Sequence, residues 1–509
     1  MILNFIALLV GAVLTVTYGD EPPPSPSAKP GSSIIAAVVK KQIAVGPHGS
    51  ILYEMSAEGA TYGSDGIPRV LNLTSDGAYE AGYDTGFLLG SEYKETFDSI
   101  LKSMYGGGIG EQVFNRLFCK FLDRQFKYLA KDIPDEYKQE LQGLSEGGEK
   151  AGLRGFMNDV GTIAQRAIVM ANFPSTLSDL KFVVKNEHFR RDFDDEELRD
   201  IEAIMASWKS WDTNDRARPR GMGCSMVGAW GGRTQGAKVF TGRNLDWMPD
   251  TGLAKHKLLT VHHPAGGKAH VDIGWSGVWG ALAGISEAGI TVHEANLESD
   301  DSSFEGFPWI LRLRYIMERA SNLEEAMTLW NGTTNTVGFN HGIGSASDNR
   351  FTVLETMYHN TAEFGSLDPR EIANGGDPRS DSVWRTNHGF DPYTIEHFMW
   401  NGTKAYNDSL FRYSLVPPML DSYEASGTAI GAVEMVNMTA ILGGKGTKKD
   451  YFPFQCGPPP YPGDADNVLS VAFAPDDLIA YAAYESGTGD GWIPAGCNTY
   501  LKFDMKAFF

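Results

Sequence analysis

The chain reads as an α+β protein, with helices gathered in its amino-terminal part and strands dominating after residue 212. Three observations predict this. Residues from about 80 to 211 carry apolar side chains at helical spacing. The texture changes at Asp212, where "DTNDRARPRGMG" is polar, rich in Arg and Gly, and without period. Beyond it, short β-branched and aromatic runs alternate with glycine-containing turns. Antiparallel strands with grouped helices build layered α+β folds.

The first element is not part of that fold. "MILNFIALLVGAVLTVTYGD" holds an apolar run from Phe5 to Val16, then small, polar and acidic residues, which predicts a signal peptide over 1–19 cut near Gly19–Asp20. The run is short for a bilayer span, so a secreted chain or one in the lysosomal or endolysosomal lumen is expected. "EPPPSPSAKPGSS" is a Pro/Ser-rich linker over 20–33 with nothing to bury. Residues 34–223 form a mostly helical amino-terminal region. "PDEYKQELQGL" puts Tyr137, Leu141 and Leu144 on one face, and "ELRDIEAIMASWKSW" does the same with Leu198, Ile201, Met205 and Trp208. "MYGGGIGEQ" lacks the Lys-Ser/Thr of a phosphate loop and reads as a turn between helices.

Residues 224–509 carry the strands: "CSMVGAW", "KVFTGRNLDW", "KLLTVHH", "HVDIGWSGVWGALAGI" and "ITVHEANL". A helix follows at "PWILRLRYIMERA", and "SNLEEAMTLW" opens with a capping box from Ser321 to Glu324. "GSASDNRFTVLETMY" is a hairpin turning at Asp348–Asn349, and "NVLSVAFAPDDLIAYAAYE" is a further strand pair.

Apolar residues at 42% and charged residues at 21% describe a globular protein with a full core. A formal net charge of −20 argues against nucleic acid or an anionic membrane as the main partner. Asn72, Asn331, Asn401, Asn407 and Asn437 head glycosylation sequons, in keeping with secretion. Four cysteines are too few for a disulfide scaffold. Cys456 and Cys497 sit in loop contexts and could pair, and Cys119 lies in a helical pattern and should be buried. That leaves Cys224 as a free thiol in an oxidising compartment, which needs a reason.

A thiol attacks carbonyls as the thiolate, so its site must lower the pKa or supply a base. A cysteine that begins a chain has its own α-amine for this, with a pKa of about 7.7–8.0. Cys224 is internal, so the Gly223–Cys224 peptide would first have to break by attack of the thiol on the Gly223 carbonyl. Gly223 would permit the backbone geometry for that step, and the polar loop before it would let the freed end withdraw. Arg243 and Asp246 fall on the next strand of the expected hairpin. The first would favour the thiolate and the second would orient the new amine. A buried cysteine and a surface Arg–Asp pair fit the spacing equally well.

"CSMVGAW…FTGRNLDW" resembles the cysteine-type N-terminal nucleophile (Ntn) hydrolases, a group that includes acyl-coenzyme A:6-aminopenicillanic acid acyltransferase, acid ceramidase, choloylglycine hydrolase and penicillin V acylase. Gly242, Arg243, Asn244 and Asp246 match their G-R-N-x-D segment. "GISEAGITVHEANLE" is similar to the segment ending in an oxyanion-binding asparagine, which maps to Asn296. "WRTNHGFDPY" places a second asparagine at Asn387, "NDSLFRYSLV" a late arginine at Arg412, and "GAYEAGYDTGFLLGSEY" resembles the opening of acyltransferase-type precursors. The resemblance implies an αββα four-layer sandwich of two antiparallel sheets between helix layers. It also implies an autoproteolytic precursor whose amino-terminal fragment stays bound as a subunit. Cys224 would be nucleophile and base, Arg243 and Asp246 would tune it, and Asn296 and Asn387 would bind the oxyanion, with Arg412 as supporting charge. The reaction implied is hydrolysis of a linear amide in an N-acylated lipid or small acyl amide. Acyl transfer, phospholipase-B-like ester hydrolysis and a catalytically silent luminal binding protein are the alternatives. No metal and no organic cofactor is implied: the histidines of "VHHPAGGKAH" read as a strand and its turn, and there is no H-E-x-x-H. "GWSGVWGALAG" and "FPWILRLRY" could line an acyl pocket, although core packing explains such runs as well.

Overall fold

The structure, a computed structural model, describes residues 33–60, 66–75, 77–105, 111–172, 223–247, 253–444 and 466–509, with a few isolated positions such as Cys456. The expected signal peptide, nearly all of the linker, most of the helix expected over 197–211 and the loop from 212 to 222 lie outside the described residues.

The amino-terminal region opens with strands, not helices: β1 Ile34–Ala36, β2 Val38–Val45, β3 Ile51–Ser56 and β4 Arg69–Leu73. Among the described residues four helices follow, α1 Ala78–Tyr105, α2 Glu111–Leu129, α3 Asp135–Lys150 and α4 Val160–Ala171. Next come β5 Gly223–Ala229, β6 Phe240–Trp247, β7 Lys257–His262, β8 His270–Trp275, β9 Gly284–Ser286 and β10 Ile290–Asn296. Helices α5 Trp309–Arg319 and α6 Leu323–Asn331 precede β11 Phe339–Ser345, β12 Arg350–Met357 and β13 Asn360–Phe364. After α7 Pro369–Ala373 and β14 Ser382–Arg385 lie α8 Pro392–Glu396, α9 Lys404–Ser414, α10 Val416–Ala425 and α11 Ala432–Leu442. Strands β15 Asp466–Ala474, β16 Ile479–Tyr484 and β17 Tyr500–Asp504 complete the fold.

The strands form two sheets, one of seven in the order β1-β17-β16-β15-β6-β5-β14 and one of ten in the order β13-β12-β11-β10-β9-β8-β7-β4-β3-β2. Side chains alternate across each strand, and the alternation sets the layers. Met226, Leu245, Val471, Leu259, Val261, Val271 and Ile273 meet between the sheets. On the outer face of the smaller sheet, Val227, Phe240 and Ala472 pack against Met419 of α10 and Met435 and Leu442 of α11. On the outer face of the larger sheet, Leu258 and Val292 pack against Leu89 of α1, Leu141 of α3 and Leu313 of α5. The result is the expected order of helices, sheet, sheet, helices.

Several expectations need correction. The sheets are mixed and not purely antiparallel, because β1 runs parallel to β17 and β4 parallel to β7. The region from 34 is helical only from α1 onward. Its first strands extend both sheets, so it is built into the sandwich and not laid on it. The cap of α6 is Asn322, whose side chain accepts from Glu325 N at 2.8 Å while Glu325 accepts from Ser321 N. It sits one residue beyond the expected Ser321–Glu324 box.

Other details match. The β11–β12 turn uses Asn349 at φ 45°, which asparagine tolerates. Helices α1 and α3 touch backbone to backbone at glycines: a Cβ on Gly82 would stand 2.0 Å from the Glu140 carbonyl oxygen, and one on Gly143 would stand 2.0 Å from that of Tyr79. Cys456 and Cys497 form a disulfide, and Cys119 is free and buried. Among the described residues no helix is long and apolar enough to cross a membrane.

Candidate active site

Strand β6 pairs with β5 so that Gly223 faces Asp246, Cys224 faces Leu245 and Met226 faces Arg243. The expected hairpin therefore exists, and it brings the thiol, the guanidinium and the carboxylate together in the interior. Cys224 Sγ lies 3.6 Å from Arg243 Nη2 and 4.0 Å from Glu294 Oε2. Arg243 and Glu294 form a salt bridge with side chains 0% and 3% exposed. Arg243 Nε and Nη1 have no hydrogen-bond partner among the described residues.

Burial pushes the Cys224 thiol up to about 12; the Glu294 carboxylate adds to this, and Arg243 opposes it. Arg243 thus acts in the expected direction and is outweighed by burial and by the Glu294 carboxylate. In the intact chain the thiol is protonated at neutral pH.

Asp246 accepts from Asn467 Nδ2 at 2.9 Å through Oδ1, while its buried Oδ2 has no partner among the described residues. Burial pushes this carboxyl up to about 6, against the pull of Arg412 and Asn467. A Cβ on Gly223 would stand 3.0 Å from Asp246 Oδ2 and 3.1 Å from Arg412 Nη2. Gly223 is not among the residues with positive φ. It leaves room between a carboxylate and a guanidinium.

The backbone of Cys224 is held at both ends. Its N–H donates to Asn387 Oδ1 at 2.8 Å, and its carbonyl accepts from Arg412 Nη1. Arg412 Nη2 also donates to Asn387 Oδ1 at 2.7 Å, and Nε and Nη2 donate to Asp408 Oδ2 at 2.9 and 2.7 Å. Asn387 Nδ2 donates to the Asn296 carbonyl at 2.7 Å, and Asn387 N donates to Ser409 Oγ at 2.7 Å. In the intact chain Asn387 therefore holds the Cys224 nitrogen with its oxygen. One amide hydrogen goes to Asn296, which leaves a second for a developing oxyanion. Asn296 adjoins the cluster through its carbonyl, and its own Nδ2 donates to Glu298 Oε2 at 3.2 Å.

Cys224, Arg243, Asp246, Asn387 and Arg412 thus form one buried cluster that Asn296 borders. The sequence reading missed Glu294, Asp408 and Asn467. Glu294 lies two residues before Asn296 on β10, hence on the same face, and that spacing was its only signal. Asp408 precedes Arg412 by four on α9, the spacing of a helical ion pair. Asn467 lies across from Asp246 in the β15–β6 ladder, a pairing that no local pattern reveals.

Two aromatic runs settle into cores. Trp275 packs between the sheets, and Trp279, Trp309 and Ile310 pack beneath the helices of the larger sheet. Of the sequon asparagines, Asn331, Asn401 and Asn407 are exposed. Asn72 lies within β4, with its Oδ1 2.9 Å from His263 Nε2.

A model of the acyl-coenzyme A:6-aminopenicillanic acid acyl-transferase family matches residues 233–439. That span includes Arg243, Asp246, Asn296, Asn387 and Arg412 and begins just after Cys224. An uncharacterized protein of Archaeoglobus fulgidus is 24% identical over 68% of this chain and 54% of its own length. Protein dcd1B of Dictyostelium discoideum is 27% identical over 42% of this chain and 40% of its own length. The chain thus spans about half or less of these relatives. Among solved structures, the N-acylethanolamine-hydrolyzing acid amidase ortholog of Caenorhabditis elegans covers 50% of this chain and 93% of its own, at 13% identity and TM-score 0.33. Penicillin V acylase of Agrobacterium tumefaciens covers 56% and 86%, at 14% identity and TM-score 0.32. The family match bears out the resemblance to acyl-coenzyme A:6-aminopenicillanic acid acyltransferase over residues 233–439.

Proposed function

We propose that the chain is a self-activating cysteine amidohydrolase of the Ntn type, with Cys224 as nucleophile. The observation that carries this is the setting of the Gly223–Cys224 junction. Asn387 Oδ1 holds the nitrogen that cleavage would turn into an amine, and the unpartnered Asp246 Oδ2 lies against Gly223 on the other side of the junction. A structural cysteine needs neither.

In self-cleavage, Sγ attacks the Gly223 carbonyl carbon and its proton passes to Glu294, the carboxylate 4.0 Å away. The carbon–nitrogen bond breaks and the nitrogen takes up that proton. A thioester and a free α-amine remain. Water then splits the thioester into the Gly223 carboxylate and the restored thiol.

In turnover, the α-amine takes the thiol proton, Sγ attacks the substrate carbonyl, and the leaving amine departs with the proton. Water, activated by the same amine, frees the acid. Arg243 Nε and Nη1 and the second Asn387 N–H are the donors available to the oxyanion. Such a donor contributes about 2.7–4 kcal/mol. Arg412 and Asp246 keep the amine in place.

The substrate proposed is an N-acylated lipid or other small acyl amide, since each buried methylene of an acyl chain contributes roughly 0.8 kcal/mol. Acyl transfer to an acceptor amine is the second reading, and the acyl-transferase family match favours it. We further propose a secreted or lysosomal setting, with the amino-terminal fragment retained as a subunit. The Cys456–Cys497 disulfide and the exposed Asn331, Asn401 and Asn407 suit an oxidising compartment. The test is a panel of N-acylethanolamines, ceramides, N-acyl amino acids, penicillin V and lysophospholipids, with and without an acceptor amine. Amide turnover that rises with acyl length and stops on thiol alkylation is expected. Turnover of esters alone, or of no member by cleaved protein, would overturn the amidase reading.

A further inference from the structure

His262 ends β7 and His270 begins β8, and the two face each other in the hairpin register. Val261 and Val271 point into the core between the sheets. Alternation therefore turns His262, His270 and Asp272 to the opposite face, under α3 and α5. There the three are 5%, 0% and 7% exposed. Cys224 belongs to the core between the sheets, so this cluster lies across the larger sheet from it.

The hydrogen bonding leaves lone pairs unused. His270 Nδ1 lies 3.0 Å from the Lys268 carbonyl oxygen, so that nitrogen carries the proton and Nε2 offers a bare lone pair. His270 Nε2 is buried without a partner among the described residues, and so is Asp272 Oδ1. His262 Nε2 stands 3.1 Å from Asp272 Oδ2. Two ligands on one tetrahedral zinc ion stand about 3.3 Å apart, so this pair already has ligand spacing. One ligand atom from each of the three residues falls within 4.8 Å of the other two, and binding requires the two imidazoles, stacked with centroids 4.8 Å apart, to turn out of parallel. A carbonyl fixing the outer nitrogen of a ligating imidazole is the usual second layer of such a site.

The charged groups around the cluster are paired among themselves: Arg314 is bonded through two nitrogens to Glu140, and Glu318 accepts from Tyr137 and lies 3.4 Å from Arg319. Asp272 is thus the carboxylate left to serve a cation.

We propose that His262, His270 and Asp272 bind one divalent transition-metal ion of the zinc class, fastening the β7–β8 hairpin beneath α3 and α5. Glu140 is engaged by Arg314 and Trp279, so the fourth position falls to water. The site is structural and stands apart from the thiol chemistry.

The test uses the full chain, both unaltered and as Cys224→Ala so that the thiol cannot capture metal. Each is loaded with one equivalent of Zn²⁺ or Co²⁺, passed over a desalting column with a weak chelator, and assayed for bound metal and for visible Co²⁺ absorption. Close to one ion per chain is expected in both, with a Co²⁺ spectrum of tetrahedral nitrogen and oxygen ligation. His270→Gln and Asp272→Asn, both near-isosteric, should each weaken binding by about 100-fold or more, since even an outer-layer change costs up to that much. No retained metal in either parent would overturn the proposal, as would equal retention in both variants, which would point to surface imidazoles such as His359. Should a variant fail to fold, the stoichiometry and spectrum of the parent chains decide alone.

Discussion

Asp246→Asn should stabilise the intact chain while abolishing its function. The Asp246 carboxyl is buried, and burial raises it from an ordinary 3.8 to about 6. A carboxyl raised by folding contributes stability in its protonated form, fully present below 3.8 and lost as pH rises through about 6. A rise of about two on the pH scale, at about 1.36 kcal/mol each, means that the ionised carboxylate costs the intact fold about 3 kcal/mol at pH 7. Asparagine keeps the oxygen that accepts from Asn467 Nδ2 and carries no charge. In a Cys224→Ala background both chains remain uncut, so only the charge differs. Denaturant unfolding of the two chains at a series of pH values measures the gap. The asparagine chain should match the aspartate chain near pH 3.5, gain between about 4 and 6, and lead by about 3 kcal/mol at pH 7. With Cys224 present, the same substitution should halt turnover, since the new amine would lose its partner. A gap that stays flat with pH, or an aspartate chain that is the more stable at pH 7, would refute the reasoning. It would mean that Arg412 compensates the buried charge in full.

Arg412→Ala leaves Asp408 as a buried, unpaired carboxylate and should cost about 3–5 kcal/mol in denaturant unfolding, with much of it recovered in Arg412→Met/Asp408→Leu. Iodoacetamide should label Cys224 slowly at pH 7 in a Glu294→Gln chain, which stays intact for want of the proton acceptor, because burial holds the thiol up, with labelling accelerating as pH rises. The cleaved wild-type protein should label quickly at pH 7, and equal rates in the two would contradict the amine-assisted thiolate.

The parts of this molecule that local pattern encodes were legible, and the parts that depend on distant pairing were not. Cys224, Arg243 and Asp246 stood out because one hairpin carries all three, and hairpin register follows from strand spacing. The α+β class followed from strand and helix periods, and the layer order came from the family resemblance. The strands over 34–73 went unread, and β1 gains its partner only at β17, whose residues lie at the other end of the chain. The parallel β4–β7 pairing is equally nonlocal. Glu294 went unread in "ITVHEANL", since nothing in the segment says that its carboxylate meets Arg243. The crowding of Gly223 by Asp246 and Arg412 was not legible, because it exists only after α9 packs against β5. His262 and His270 read correctly as strand and turn, while their convergence with Asp272 appears only once β7 and β8 are paired.

The central claim is tested most directly by the chain termini of the purified protein. Mass spectrometry and amino-terminal sequencing should find a chain that begins at Cys224, and Cys224→Ala should leave the Gly223–Cys224 bond whole. An active protein with that bond intact, or an alanine variant cut at the same bond, would contradict a self-generated amino-terminal nucleophile.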